Sequence, residues 1–341
     1  MRTMRQYPGF LRQLHEQLES LPASSLDRIN RVGGFEVSSH VNAILNPLDY
    51  TVCDPALPLS EPPQLMNDET ACLIGHETII AGRAGLCIDA GSIDKHGALV
   101  CLRNIMAPDF TATPLSLLLN RSRQFRHVWI IVPRQFVDDV KSYISQLSYT
   151  AHVKVLPHHE VMNLSSVNLL QTRGVDAELS SGGPGDVIPV LSEFGEITSF
   201  LNVGGRHICI VDCANLLANI DDAILGQHVN SQHVVTCQVT TLQGETNYGV
   251  ICDHMGQRQV VESFKLDFGS DSPNFSLRST GTFIMSAELD FSMIDWQWHR
   301  RKVICDGVIT VIFQRYMDDL TRVFKTQFIE TARSLSYHSI A

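Results

Sequence analysis

From about Ala71 onward, short apolar runs alternate with helical patterns, and no other feature of the chain constrains its fold as strongly. Residues 78–81, 98–102, 128–132, 153–156 and 207–211 are strand-sized apolar runs bounded by Gly, Pro, Asn or Asp. Between two of them, Phe136, Val140, Tyr143, Ile144 and Leu147 recur at the spacing of a helix that covers one face of a sheet. Residues 113–120 read as another helix, with Thr113 as its cap and Pro114 in its first turn. Strand, helix, strand is the pattern of a right-handed parallel α/β sheet. Further on, strands follow one another directly: 234–240, 248–253 and 259–264, with 254–257 as a tight turn, then 282–285 and 308–313. A closing helix is expected from Arg315 to about Arg333, on the stripe Leu320, Val323, Phe324 and Phe328. The expected fold is α/β, with a mixed sheet that is parallel in its core and antiparallel later.

The first 70 residues have a different texture. Leu11, Leu14, Leu18 and Leu21 make one apolar stripe of a helix over 8–21, and Pro47, Pro55, Pro58, Pro62 and Pro63 then forbid long helix or central strand. We therefore divide the chain into a helical arm with irregular linker, 1–70, and a main domain, 71–341. With 44% hydrophobic and 18% charged residues, the chain of 341 is suited to a sizeable core rather than to disorder. A net charge of −10 argues against a broad phosphate-neutralising surface, so nucleic acid is not expected as a partner. No run approaches the roughly 18 apolar residues of a membrane span, and the N-terminus lacks the apolar stretch of an export signal. The nine cysteines form no CxxC pair and mostly sit in apolar runs, as reduced buried thiols in cytoplasm would.

Ligands of open α/β sheets bind outside the carboxyl ends of the strands. One such place is His207-Ile208-Cys209-Ile210-Val211-Asp212, where an apolar strand ends in a carboxylate. Asp212 is suited to hold Mg²⁺ between phosphate-bearing ligands, or to cap the helix that follows. A second place is Gly182-Gly183-Pro184-Gly185-Asp186, whose glycines let backbone approach a flat base or a phosphate, and which opens into a helix. Adjacent His158 and His159 lack the i, i+3 or i+4 spacing of a helical metal pair. Trp296 and Trp298, followed by His299, Arg300, Arg301 and Lys302, read as half-buried aromatics beside surface cations, or as a base-stacking cluster.

Taken in order, these segments resemble the UDP-glucose pyrophosphorylase family, the UTP:glucose-1-phosphate uridylyltransferases. Residues 183–195 are similar to its "P-G-H-G-D" stretch and the helix after it, without the histidine. Residues 215–221 resemble its "D-N-L-G-A-x-x-D" motif, with Ala214 where the metal-binding aspartate would align and Asp212 two positions earlier. Asn247-Tyr248-Gly249-Val250, followed by Glu262 and Lys265, resembles the hairpin that faces the sugar phosphate, and residues 302–307 with Gln314 resemble the closing "K-x-x-x-D-G … Q-L-E". The family's triphosphate loop, "L-x-G-G-x-G-T-x-x-G", is matched by residues 80–86, where Gly82 and Gly85 keep the spacing, Arg83 replaces a glycine and Leu86 the hydroxyl residue. No "K-P-K" follows; Lys95 is the nearest lysine.

The resemblance implies a Rossmann-like, GT-A-like nucleotidyltransferase domain; because the chain ends soon after the closing helix, the C-terminal β-helix of the eukaryotic-type members is not expected. It implies small-molecule substrates, UTP and a sugar-1-phosphate, with Mg²⁺ as cofactor. By the same likeness, Gly82 and Gly85 would offer amides to phosphates, with Arg83 or Lys95 adding charge. Gly183, Pro184 and Gly185 would receive the uracil, Asp212 the Mg²⁺, and Lys265 the sugar phosphate, with Asn215, Glu262 and Lys302 also lining the site. The departures at Arg83, Leu86 and Ala214 keep open a second possibility, a nucleotide or nucleotide-sugar binding protein of the same fold with weakened catalysis.

Overall fold

The computed structural model describes residues 68–94, 97–107, 110–147, 149, 152–165, 172–173, 176–177, 179–231, 233–241, 249–254, 257–262, 277–296, 298–305, 308–332 and 338. The N-terminal arm, its helix over 8–21 and its proline-rich linker lie outside them, as do Lys95, Asn247, Tyr248 and Lys265.

Four parallel strands make the centre of one large sheet: β1 (Ala84–Asp89), β2 (His127–Val132), β3 (His152–Pro157) and β7 (His207–Asp212), in spatial order β7-β1-β2-β3. Between β3 and β7 come the short strands β4 (Glu160–Met162), β5 (Leu164–Ser165) and β6 (Leu179–Ser181). The sheet continues beyond β7 through antiparallel β11 (Leu277–Ser286), which pairs with β8 (Val235–Thr241) and touches the hairpin of β9 (Val250–His254) and β10 (Gln257–Val261). The fold is thus the mixed α/β sheet expected, parallel first and antiparallel later. A smaller sheet holds β12 (His299–Cys305), β13 (Val308–Gln314) and β5.

Alternation along the parallel strands builds two cores, one on each face. Cys87, Trp129, Ile131, Ile208 and Ile210 face one core, where they meet α4 (Val187–Glu193) and α5 (Glu196–Asn202) through Val187, Leu191 and Phe200. Leu86, Ile88, Val128, Ile130 and Val211 face the other, under α1 (Asp68–Ile80), α2 (Pro114–Arg121) and α3 (Val137–Gln146), with α6 (Asp222–Asn230) contributing Ile224 and Leu225. Thr113 caps α2 as expected: its side chain accepts from the Ser116 N–H, within a reciprocal capping box. Cys87, Cys101, Cys209, Cys213, Cys237 and Cys252 are buried and unbridged. Among the described residues, no helix is long and apolar enough to cross a membrane.

Three local expectations are corrected. Residues 78–81 are not a strand but the end of α1 and its turn, where the Thr78 hydroxyl donates to the Ile74 carbonyl at 2.7 Å. That helix packs on α6 so closely that a Cβ at Gly226 would overlap the Ala71 carbonyl, which only glycine permits. The first strand is instead Ala84–Asp89, just beyond it. Residues 98–102 form a single antiparallel bridge, Ile93 with Leu99, and a 3₁₀ turn over Val100–Leu102. The closing helix is only α7 (Asp318–Val323), because Phe324 turns to extended backbone and the chain becomes β14 (Thr326–Glu330), parallel to β8. Phe328 then faces one core and Ile329 the other, as strand alternation requires.

Candidate functional site

The carboxyl ends of the parallel strands converge where ligands of this architecture bind. Asp89 ends β1 and Asp212 ends β7, and the two are direct register partners. The Cys213 N–H continues the ladder to the Asp89 carbonyl at 2.8 Å. Asp212 Oδ1 accepts the Ala214 N–H at 2.8 Å and turns the chain there. It does not cap the next helix; Asp221 does, accepting from the Ala223 N–H at 2.7 Å.

His158 and His159 follow β3 at the same edge, and the backbone N–H of His158 bonds the Val132 carbonyl at 2.7 Å. Between them and the glycine turn lies the Asp186 carboxylate, wholly buried. Asp186 Oδ2 takes His159 N–H at 2.8 Å and lies 3.3 Å from His158 Nδ1. Asp186 Oδ1 meets His159 Nδ1 at 2.7 Å and Arg315 Nη1 at 2.8 Å. The other nitrogen of His158 lies 3.0 Å from Asp89 Oδ1, and that of His159 lies 2.6 Å from Glu193 Oε2. Burial works against a charged His158, but hydrogen bonds to Asp186 and Asp89 outweigh it and raise its pKa to about 9. Burial opposes the charge on His159 as well, and its bond to Asp186 again prevails, raising its pKa. For Asp186, burial favours the neutral acid, yet bonds from His158 and His159 and the nearby Arg315 hold it far below the usual carboxylate range. The Arg315 guanidinium also stacks 4.1 Å from the centre of the Trp298 ring.

The glycines of residues 182–185 are required by chain packing. A Cβ at Gly182 would lie 2.5 Å from Asp186 Cγ, one at Gly183 2.7 Å from Gln314 Cβ, and one at Gly185 2.5 Å from the Tyr316 backbone. The turn is pinned to the end of β13 by Arg315 N–H to the Gly182 carbonyl and Gly185 N–H to the Arg315 carbonyl. Pro184 starts the 3₁₀ turn that leads into α4. These residues lie at the same edge as Asp89 and the two histidines.

Others fall elsewhere. Gly82, Arg83 and Gly85 stand at the opposite, amino edge: the Arg83 carbonyl accepts from the Arg206 and His207 amides at the start of β7. Six residues of β1 separate the two edges by roughly 16 Å. They are therefore not a phosphate loop beside Asp212. The segment at the carboxyl end of β1 begins Ala90-Gly91-Ser92-Ile93-Asp94, and Lys95 follows it outside the described residues. Asn215 is buried and spent on backbone, donating to the Thr280 carbonyl and accepting from the amides of Leu217 and His338. Glu262 is buried just after β10, and Lys302 holds the register position opposite Val311 in the small sheet. Asp89 ends an apolar run as Asp212 does, a signal that the loop expected over residues 80–86 obscures.

A hard cation of the Mg²⁺ type takes one or two protein carboxylates and fills its remaining positions with water and phosphate oxygens. Asp212, an oxygen donor at the strand end, fits that chemistry. Among the described residues, His299, Asp318 and Asp319 also bring ligand atoms within 4.8 Å of one another. They are buried, and Asp319 pairs with Arg322 at 3.1 Å and lies 3.5 Å from His299.

No family model and no curated protein sequence matches the chain. Solved structures do match. The UDP-N-acetylglucosamine pyrophosphorylase from Trypanosoma brucei, in complex with an inhibitor, superposes with a TM-score of 0.75 at 14% identity, covering 96% of this chain and 78% of its own. A putative UDP-N-acetylglucosamine pyrophosphorylase from Entamoeba histolytica gives 0.68 at 13% identity, over 85% and 83%. A point mutant of Leishmania major UDP-glucose pyrophosphorylase, in complex with UDP-glucose, gives 0.68 at 14%, over 94% and 77%. The chain has the fold of these nucleotidyltransferase-type pyrophosphorylases.

Proposed function

We propose that the protein is a Mg²⁺-dependent uridylyltransferase that joins UTP and a sugar-1-phosphate, glucose-1-phosphate by default, into a UDP-sugar and pyrophosphate. The observation that carries this reading is the Asp212 carboxylate at the carboxyl end of a central parallel strand, paired in register with Asp89 at the edge that also bears the glycine turn, in a fold shared with UDP-sugar pyrophosphorylases. A sugar-phosphate oxygen would attack the α-phosphorus of UTP, and the bond to the β-phosphate would break to release pyrophosphate. Such a transfer depends on positioning and charge neutralisation. Mg²⁺, when bound, would supply the positive charge that lets two phosphate-bearing anions meet. Asp212 would hold it. The turn of Gly183, Pro184 and Gly185 would orient the uracil. Lys95 and Lys265 are the lysines we assign to phosphate charge.

A second reading, a nucleotide-sugar binding protein without turnover, is favoured by one observation. Arg83 and its glycines stand at the amino edge, the width of the sheet away from Asp212. Pyrophosphate release separates the two. Purified protein with Mg²⁺ is assayed with each of the four nucleoside triphosphates against a panel of sugar-1-phosphates. Turnover with UTP and one acceptor, lost in Asp212→Ala, is the result expected. UDP-glucose binding without turnover across the panel would replace the first reading with the second.

A further inference from the structure

The His158 side chain is only 1% exposed, so it cannot touch a nucleotide or a sugar. It nevertheless engages a carboxylate at each ring nitrogen, an arrangement that costs desolvation of three ionisable groups. These contacts join segments remote in sequence. Through Asp89 the ring reaches the chain after β1: Asp89 Oδ1 also accepts the Gly91 N–H at 3.0 Å, and a Cβ on Gly91 would lie 2.8 Å from His158 Nε2. Through Asp186 it reaches the glycine turn, which Arg315 grips from the other side by its guanidinium and its backbone.

We infer that His158 and Asp186 are positioning residues that hold the chain after β1 and the glycine turn at a fixed separation, and so set the distance between the phosphate and base subsites of one nucleotide. The inference rests on the nucleotide-site reading above. Neither residue is catalytic. An apolar plug could fill the same volume, but it would leave Asp89 and the Gly91 amide without the partner that orients them. Charge within the relay is balanced. Asp89 comes from the end of β1, Asp186 and Glu193 from the turn and α4, His158 and His159 from the end of β3, and Arg315 from the end of β13. A nucleotide that spans the two segments would meet a gap set in advance by buried ion pairs, which lowers the ordering cost of binding.

The test follows the full-length, ¹⁵N-labelled protein by NMR between pH 7 and 10. The Gly91 and Gly182 amides should shift together, with the midpoint of the His158 ring itself, which its surroundings raise to about 9. In His158→Gln the Gly91 shift should vanish, the Gly182 amide should keep only the response of its neighbour His159, and the Kd for UDP-glucose should rise at least tenfold. Asp89→Asn keeps the size of the side chain and the Asp186 pairings and should move the common midpoint down from about 9, which serves if the first variant folds poorly. Separate midpoints for the two glycines, or unchanged UDP-glucose affinity in a folded His158→Gln protein, would overturn the inference. A wild-type protein that binds neither UTP nor UDP-glucose would instead remove the nucleotide reading, and the common titration would then decide the linkage of the two segments alone.

Discussion

The two edges of the parallel sheet carry buried histidines of opposite character. At the carboxyl edge, His158 lies between Asp89 and Asp186 and is held as a cation. At the amino edge, His228 is pushed down to about 3, by burial first and then by His207 and His233. His207 falls to about 4, again chiefly by burial, with Arg206 and Arg83 adding to it. Their rings meet edge to face at 5.2 Å, and His228 Nδ1 lies 2.8 Å from the Thr236 hydroxyl. Burial alone favours neutral imidazole at both edges; what differs is that hydrogen bonds to Asp186 and Asp89 outweigh it at His158, whereas Glu288 only partly offsets it at His207. β1 and β7 end in aspartate, while Arg83 and Arg206 precede them and Arg126 precedes β2. One sheet thus has an edge that holds cations and an edge that expels protons, and the glycine turn sits on the first.

The strongest way to break this contrast is Asp186→Ala. It leaves the His158 and His159 cations and Arg315 without their shared buried carboxylate, and removing one partner of a buried pair costs about 3–5 kcal/mol. Urea unfolding should show a loss of that size, and a loss under 1 kcal/mol would mean that the hub is not a charged one.

Next is the pH dependence of stability, in which the two edges act with opposite sign. His158 binds its proton more tightly folded than unfolded, so its contribution is whole below about pH 6.5 and fades as pH rises through about 9. By linkage that amounts to about 3 kcal/mol. His207 and His228 bind protons less tightly folded, so theirs is whole above about pH 6.5 and is lost as pH falls through about 4 and about 3. Thermal unfolding from pH 4 to 10 should trace a dome. His158→Gln should shrink the alkaline descent to the part His159 supplies and leave the acid one, while His228→Gln should blunt the acid side alone.

Periodicity made the architecture legible where one element type fitted the pattern. The strands at 128–132 and 207–211, and the α2 cap at Thr113, were within reach of a single-sequence reading because apolar runs and capping chemistry are local. Residues 78–81 misled because β-branched Thr78, Ile79 and Ile80 finish a helix whose reason to exist is Gly75 and Gly226, a contact between elements far apart in sequence. A strand at 78–81 would make residues 80–86 a loop, which leaves no room for β1 and Asp89. Asp212 was legible because its strand is unambiguous. The relay was not: His158, Asp186 and Arg315 are separated by tens of residues, and only the pairing of β3, the glycine turn and β13 brings them together.

The glycines sharpen the contrast at smaller scale. Gly185→Ala puts a methyl 2.5 Å from the Tyr316 backbone, which cannot move without moving the turn, so about 2–3 kcal/mol of overpacking strain is expected. Gly82→Ala at the amino edge meets only Arg126 Cδ, at 3.4 Å, the middle of a flexible side chain; its cost is that of a positive φ, about 1 kcal/mol. Denaturation midpoints for the pair should keep that order.

The smallest expected effect is the most discriminating for function. Arg83 is exposed, and among the described residues no carboxylate lies within 4.0 Å of it, so Arg83→Ala should change stability by less than about 0.5 kcal/mol. If nucleotide phosphates bind at the carboxyl edge, roughly 16 Å away along β1, an exposed charge at that distance is screened by more than a Debye length of salt. UDP-glucose affinity in 0.15 M salt should then be unchanged in Arg83→Ala, while Asp212→Ala alters the Mg²⁺ dependence of binding. A large loss of affinity in Arg83→Ala would place phosphates at the amino edge, and the distinction between the two edges would have to be redrawn with Arg83, Arg126 and Arg206 as the anion site.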